Sequence, residues 1–211
     1  MTFHFIIKYN KNMKYIDLTA LIKTPIFSKT DLLMLHQRIF DYQFSVWVKK
    51  GYLLKLKNGL YVFSREADKL RGEEIAFRLY NPSYLSLESA LSLYGFIPEI
   101  VYAYVSVTTK INRTFDNSMG HFIYRHIKKG LFWGYRDIKT EFGQYLIAEP
   151  EKALLDYIYL NLPKIRNEAD FENIRLNHEL LREKLDAKKF WKYFSAFGVK
   201  KMERWAIKCL P

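Results

Sequence analysis

Thr30 to Phe63, TDLLMLHQRIFDYQFSVWVKKGYLLKLKNGLYVF, reads as a short helix, a turn, a second helix and a tight hairpin. That order is the pattern of a winged helix-turn-helix, and the rest of the chain is read outward from it. Ser28 is suited to cap the first helix, because its hydroxyl can accept from a free backbone N–H. Asp31, three residues on, suits the positive end of the helix dipole. Leu32, Leu33 and Leu35 supply an apolar face. Asp41 is placed to cap the second helix, after which Phe44, Trp47 and Val48 fall at helical spacing toward a core. Gly51 stands where a helix often ends in a left-handed residue. YLLKLK and LYVF are β-prone runs joined by Asn58-Gly59, a strong hairpin signal in which both central residues favour positive φ.

The outer face of the second helix carries Tyr42, Gln43, Ser45, Val46, Lys49 and Lys50, with Lys55, Lys57 and Asn58 near the hairpin tip. A recognition helix in the major groove with a basic wing beside it is the expected docking geometry on DNA. In that geometry Lys49, Lys50, Lys55 and Lys57 neutralise phosphates, while Gln43, Ser45 and Tyr42 read base edges, Gln being suited to adenine. One such unit reads only a few base pairs, so two copies on a repeat are expected. A helix followed by a hairpin also occurs in domains that bind proteins, where wing lysines are only a solvated edge. Charge favours nucleic acid: residues 1–80 carry 14 Lys and Arg against 7 Asp and Glu, and no Glu precedes Glu66. The remaining residues carry 20 against 15. Basic charge gathered around the helix pair is an electrostatic footprint for phosphate.

The whole chain bounds the alternatives. Its 211 residues suffice for one large or two small domains, and 49% hydrophobic residues supply ample core. The net charge of +12 points to nucleic acid or an anionic surface. The single cysteine, Cys209, excludes an internal disulfide and fits a reducing, cytoplasmic setting. No apolar run approaches membrane-spanning length. MTFHFIIKYN lacks a small-residue cleavage site and reads as an ordinary N-terminus rather than a signal peptide. The charged stretch SREADKLRGEE, Ser64 to Glu74, is the best boundary, which divides the chain into a winged unit at 12–66 and a second domain at 67–211.

Lys14 to Lys23 predicts a first helix with Ile16, Leu18, Leu21 and Ile22 as apolar positions, ending before Pro25. Glu73 to Tyr80 predicts a helix with Ile75, Ala76 and Leu79 inward. Ser86 is placed to cap LESALSLY, with Gly95 as its stop. Beyond Pro98 the period changes to two. VYAYVSVTTK, HFIYRHIK, LFWGYRDIK and YLIA read as strands of a small, mostly antiparallel sheet, with Ser118 to Gly120 as a turn. Pro150 suits the first turn of the helix EKALLDYIYL. After Pro163 come three helical runs, NIRLNHELLREKL, KKFWKYFSAF and VKKMERWAIKCL. The expected fold class is α+β: a winged helix-turn-helix, then an α+β domain with a small sheet and C-terminal helices.

Catalytic and metal motifs are sparse. G-x-x-x-x-G-K-[ST], G-x-G-x-x-G and H-E-x-x-H are missing, and one cysteine excludes a zinc ribbon. His121 and His126 stand five apart on one strand, hence on opposite faces. Glu73 with Glu74, and Glu149 with Glu151, lie at helix starts, where an acid is electrostatically welcome. The aromatics Phe190, Trp191, Tyr193, Phe194, Phe197 and Trp205, interleaved with lysines, suit a helical core face with snorkelling cations better than a stacking platform for single-stranded RNA. No cofactor and no metal are expected.

Five blocks occur in order: Lys50-Gly51-Tyr52-Leu53; Asn58-Gly59-Leu60-Tyr61; Pro82 to Leu91, PSYLSLESAL; Tyr94 to Glu99, YGFIPE; and Ala148 to Asp156, AEPEKALLD. From about Tyr15 to about Leu160 the chain thereby resembles the AbiEi-type antitoxin family, predicted transcriptional regulators of viral defence systems. The PSYLSLESAL and AEPEKALLD blocks are specific as a pair. The resemblance implies the antitoxin of a type IV toxin–antitoxin system. Its winged helix would bind inverted repeats in double-stranded DNA at its own promoter and repress it. Its C-terminal domain would oppose a nucleotidyltransferase toxin, which in the family need not be touched directly. The family offers no catalytic motif, and its DNA-contacting positions fall on Tyr42 to Lys50 and Lys55 to Asn58. From His36 to Tyr42 this chain is more aromatic than the family pattern. Two other readings compete: a protein-interaction module, with the winged helix as a scaffold and the C-terminal sheet gripping a toxin directly, and an RNA-binding or nucleic-acid-modifying enzyme, against whose enzyme version the missing catalytic constellation argues.

Overall fold

The computed structural model describes residues 8–9, 13–98 and 102–209. Helices and strands mix in an α+β architecture whose main sheets have three and six strands. The first part runs β1 (Lys8–Tyr9), α1 (Tyr15–Leu21), β2 (Ile26–Ser28), α2 (Lys29–Met34), β3 (Gln37–Arg38), α3 (Asp41–Lys49), β4 (Leu53–Lys57) and β5 (Leu60–Phe63). Strands β2, β5 and β4 form an antiparallel sheet in that order, and β1 pairs in parallel with β3.

Local chemistry explains these elements. The Ser28 hydroxyl accepts from the Asp31 N–H at 3.1 Å, and the Asp31 carboxylate accepts from the Ser28 N–H at 2.7 Å. That reciprocal pair starts α2 as the spacing predicts. Gly51, at φ +72°, lets the chain leave α3 without a Cβ penalty. Phe44 on α3 stacks on Tyr61 of β5 with centroids 4.7 Å apart. Around them Leu18, Phe27, Leu32, Trp47 and Phe63 close a core between the helices and one face of the sheet.

The opposite face of the same sheet is also covered. Ile26, Leu56, Leu60 and Val62 pack against α4 (Gly72–Leu79) and, further on, Phe122 and Tyr124. Strand β5 is therefore buried on both faces, which is why LYVF is a continuous apolar run. The charged stretch 64–74 is not a loose linker. It forms a 3-10 turn at Ser64–Lys69 whose Ala67 joins this second core.

The second part continues with β6 (Ser83–Leu85), α5 (Leu87–Tyr94), β7 (Ala103–Thr108), β8 (Arg113–Asn117), β9 (Gly120–His126), β10 (Tyr135–Lys139), β11 (Gln144–Ala148), α6 (Pro150–Asn161), α7 (Glu168–Glu172), α8 (His178–Lys184), α9 (Ala187–Phe197) and α10 (Glu203–Cys209). The sheet order is β10-β11-β6-β7-β9-β8. Helices α5 and α6 and the C-terminal helices pack on it around Leu87, Leu91, Leu154, Ile158, Phe190 and Trp205.

Several expectations need correcting. The sheet is mixed: β11 pairs with β6 and β7 with β9 in parallel, and only the hairpins and β6–β7 are antiparallel. The two blocks read as successive strands, β7 and β9, are neighbours in the sheet but are separated along the chain by β8, a polar edge strand whose RTFDN lacks apolar alternation. Strand β6, read as part of a motif, joins the two halves of the sheet. Ile16, Leu33 and Leu35 are exposed although read as apolar-face residues, because α1 and α2 are too short to bury more than one stripe. Ser86 precedes α5 but its hydroxyl does not cap it, being committed to Asp156. The run NIRLNHELLREKL is helical only from His178, where the Asn177 side chain accepts from the Leu180 N–H. Glu99 and Val101, at the end of one motif block and the start of one predicted strand, lie outside the described residues.

Candidate nucleic-acid interface

Helix α3 turns Phe44 and Trp47 inward and leaves Tyr42, Ser45, Val46, Lys49 and Lys50 exposed. Tyr42, Ser45 or Val46, and Lys49 recur at three- and four-residue steps, so they form one stripe along the outer face. Tyr42 is 59% exposed and its ring stacks on Phe40, centroids 6.0 Å apart. The Ser45 hydroxyl donates to the Asp41 carbonyl at 3.1 Å and keeps its lone pairs outward. Lys49 and Lys50 make no ion pair with any described carboxylate.

Gln43 is corrected. It is 8% exposed and lies inside. Its Nε2 donates to the Met13 carbonyl at 3.1 Å, and its Oε1 accepts from the Phe40 N–H at 3.3 Å. Both ends of the amide serve the fold, one tying the chain before α1 to α3 and the other capping α3. Buried and engaged at both ends, the amide is withdrawn from the surface where a base edge would lie. This also moves the expected cap: Asp41 is the first helical residue, and its carboxylate instead pairs with Lys29 Nζ at 2.6 Å.

The hairpin β4–β5 stands beside α3. Gly59 takes φ +78°, but Asn58 does not take positive φ, so only one of the two turn residues behaves as predicted. A register shift between Lys55 and Lys57 accommodates the difference. The bulge also separates the two lysines. Lys55 opposes Tyr61 on the helix side and is exposed, whereas Lys57 opposes Leu60 on the side of the second part. Lys57 Nζ donates to the carbonyl of Leu79 at the end of α4. Burial, then the charges of Lys110 and Arg78, hold its ammonium below the usual lysine range. Lys57 is thus displaced from the helix-side surface where the sequence put it. Asn58 remains exposed at the tip.

Sequence reasoning missed Lys29. Its backbone N–H donates to the Gly59 carbonyl at 2.9 Å, and its ammonium lies 5.5 Å from the centre of the Phe44 ring while pairing with Asp41. It therefore holds the hairpin turn, α2 and the start of α3 in one arrangement. Its position at the first residue of α2 was the available signal.

The second part holds its polar groups differently. The PSYLSLESAL and AEPEKALLD blocks meet in the core. Tyr84 and Ser86 hydroxyls donate to Asp156 Oδ2, each at 2.9 Å, and Lys152 Nζ donates to the Tyr84 hydroxyl at 2.8 Å and to Asp156 Oδ1. The Lys152 ammonium lies 5.2, 5.1 and 5.0 Å from the ring centres of Tyr84, Trp133 and Phe197. Burial drives Lys152 below and Asp156 above their ordinary ranges, each opposed by the other's charge, and Tyr84 is raised by burial and by Asp156. All four residues are fully enclosed. A group without a solvent path can brace a core but cannot turn over a substrate.

The carboxylate pairs also make contacts within the fold. The Glu74 carboxylate accepts from the Arg71 N–H at the start of α4, and Glu149 precedes α6, held by Tyr193 and Lys189. Among the described residues no three His, Cys, Asp or Glu gather as a metal-binding group, and no helix is long and apolar enough to cross a membrane. Comparison with known proteins finds no family model that matches this chain and no matching curated protein.

Proposed function

We propose that residues 12–66 form a winged helix-turn-helix that binds double-stranded DNA, with α3 as the recognition helix and β4–β5 as the wing. The observation that carries this is the unneutralised outer face. Tyr42, Ser45, Val46 and Lys49 form an exposed stripe on α3, and Lys50, Lys55 and Asn58 flank it. The second part covers the other face of the three-stranded sheet and leaves the outer stripe of α3 exposed. Phosphates would meet Lys49, Lys50 and Lys55, and bases would meet Tyr42, Ser45 and Val46.

Taken with the motif resemblance, the chain acts as a promoter-binding repressor and as the antitoxin to a nucleotidyltransferase toxin, binding inverted repeats as two copies. The test is a mobility-shift titration on the DNA upstream of its own gene across a salt series. A shift that weakens with salt, and weakens further in Lys49→Ala/Lys50→Ala, supports the reading. A salt-insensitive result or no shift on that DNA would sink it.

A second reading, direct protein binding by the same unit, draws on exposed Leu33, Met34 and Leu35 at the C-terminal end of α2, with Met34 73% exposed. Capture of the toxin in a salt-resistant complex that Met34→Lys abolishes would favour it.

A further inference from the structure

We propose that the cleft between the two parts of the molecule is a binding site for a small organic monocation, an amine or amidinium carried on an apolar body. The site does not depend on whether the first part holds DNA.

The cleft encloses about 520 Å³, inside the range of roughly 300–1,000 Å³ that small-molecule pockets span. Asp31 of α2 lines it from the first part. Glu74, Phe77 and Arg78 of α4 line it from the second, with Phe142 from the turn after β10 and Gln144 from the start of β11. An occupant would therefore touch both parts at once.

Charge decides what fits. Glu74 is only 3% exposed, yet no described cation forms an ion pair with it. Its donors are neutral: Oε2 accepts from the Arg71 N–H at 2.8 Å, and Oε1 accepts from the Thr140 hydroxyl. That hydroxyl itself accepts from the Gly143 N–H at 3.1 Å, which leaves its proton for Glu74. A carboxylate offers about four lone-pair sites, so about two remain. The start of α4 supplies only about half a positive charge, whereas a buried charge is ordinarily paired in full. Asp31 and Arg78 cancel each other at 2.7 Å. Two carboxylates against one guanidinium leave the lining with a net charge of −1. An anion would add to that excess and a dication would overshoot it, whereas a monocation balances it.

The walls describe the rest of the ligand. Phe77 and Phe142 are half-buried rings on the cleft. Lys69, outside the lining, lies 5.7 Å from the Phe142 ring centre, so that ring already accepts a cation. Gly143 keeps the carboxylate reachable. A Cβ built there would stand 3.8 Å from Glu74 Oε1, and a longer side chain would cover it. The Gly143 backbone does not take positive φ, so the turn itself does not require glycine. The apolar body thus rests on the two rings while its cationic head reaches Glu74.

The experiment is a calorimetric titration of the full chain with benzamidinium chloride, and with sodium benzoate as the same ring carrying the opposite charge. Benzamidinium should saturate with a Kd of about 1 mM or tighter and should raise the melting temperature as its concentration rises. Benzoate should do neither. Glu74→Gln keeps an acceptor for the Arg71 N–H and should weaken benzamidinium by about tenfold or more, the worth of a hydrogen bond to a charged group. Gly143→Leu leaves every charge in place and should weaken it comparably by covering Oε1. Failure of benzamidinium to saturate, equal binding of benzoate, or unchanged affinity in Glu74→Gln overturns the proposal. Should Glu74→Gln lose its melting transition, Gly143→Leu decides: weaker binding supports the site, and unchanged affinity places the probe elsewhere and sinks it.

Discussion

Lys49 and Lys152 carry the same ammonium and do opposite work. Lys49 stands on the outer face of α3 in water, with no described carboxylate against it. Lys152 is sealed in the second part between Asp156 and three aromatic rings, each of its contacts internal. An exposed cation contributes little to folding but is available to a phosphate. A buried one must be matched where it lies, and its removal strands a partner. On the proposed reading the first part serves recognition and the second support, and that contrast can be broken by experiment.

The largest effect belongs to the buried pair. Lys152→Ala leaves Asp156 charged and enclosed, and should cost about 3–5 kcal/mol in urea unfolding. A loss below about 1 kcal/mol would mean that the pair is not sealed. Lys49→Ala/Lys50→Ala should behave in the reverse manner: unfolding within about 0.5 kcal/mol of the parent, but a DNA salt slope shallower by about 2. Gln43→Ala tests the corrected residue. It should lower stability by about 1–3 kcal/mol, because the Phe40 N–H and Met13 carbonyl lose their partner, and it should leave base preference unchanged. A changed preference at unchanged stability would return Gln43 to the recognition surface.

The smallest effect is a pH dependence. Burial raises the Glu149 carboxyl, but hydrogen bonds from Tyr193 and Lys189 outweigh it and leave it below its ordinary 4.5. A depressed carboxylate adds stability that is present above its unfolded pKa and is lost as pH falls through the lower folded one. Glu149→Gln should therefore flatten the acid limb of the stability curve below about pH 4.5 and leave the neutral region less stable. An unchanged acid limb would show that other carboxylates set it.

Much of the fold was legible because its signals are local. Ser28 with Asp31, Gly51, Asn58-Gly59 and Pro150 act within a turn or two, and each marks an element where it was expected. The inward spacing of Ile75, Ala76 and Leu79 likewise needed only a helical period. Gln43 and Lys57 were misread for the complementary reason. Their roles depend on Met13 and Leu79, far along the chain, and on a bulge that no local pattern announces. Strand β8 was missed because an edge strand needs no apolar alternation, and β6 because its three residues are too few to show any period.

Composition and spacing alone determined that the first eighty residues are basic, that a helix, a helix and a hairpin follow one another, and that Lys49, Lys50 and Lys55 face outward. These depend on covalent neighbours and on the periods of helix and strand. Only the tertiary structure decided that Gln43 turns inward, that Lys57 crosses to the carbonyl of Leu79, and that two separate motif blocks close on each other as Tyr84, Ser86, Lys152 and Asp156. Those outcomes depend on which distant surfaces exclude water from one another, and that is settled by packing rather than by sequence period.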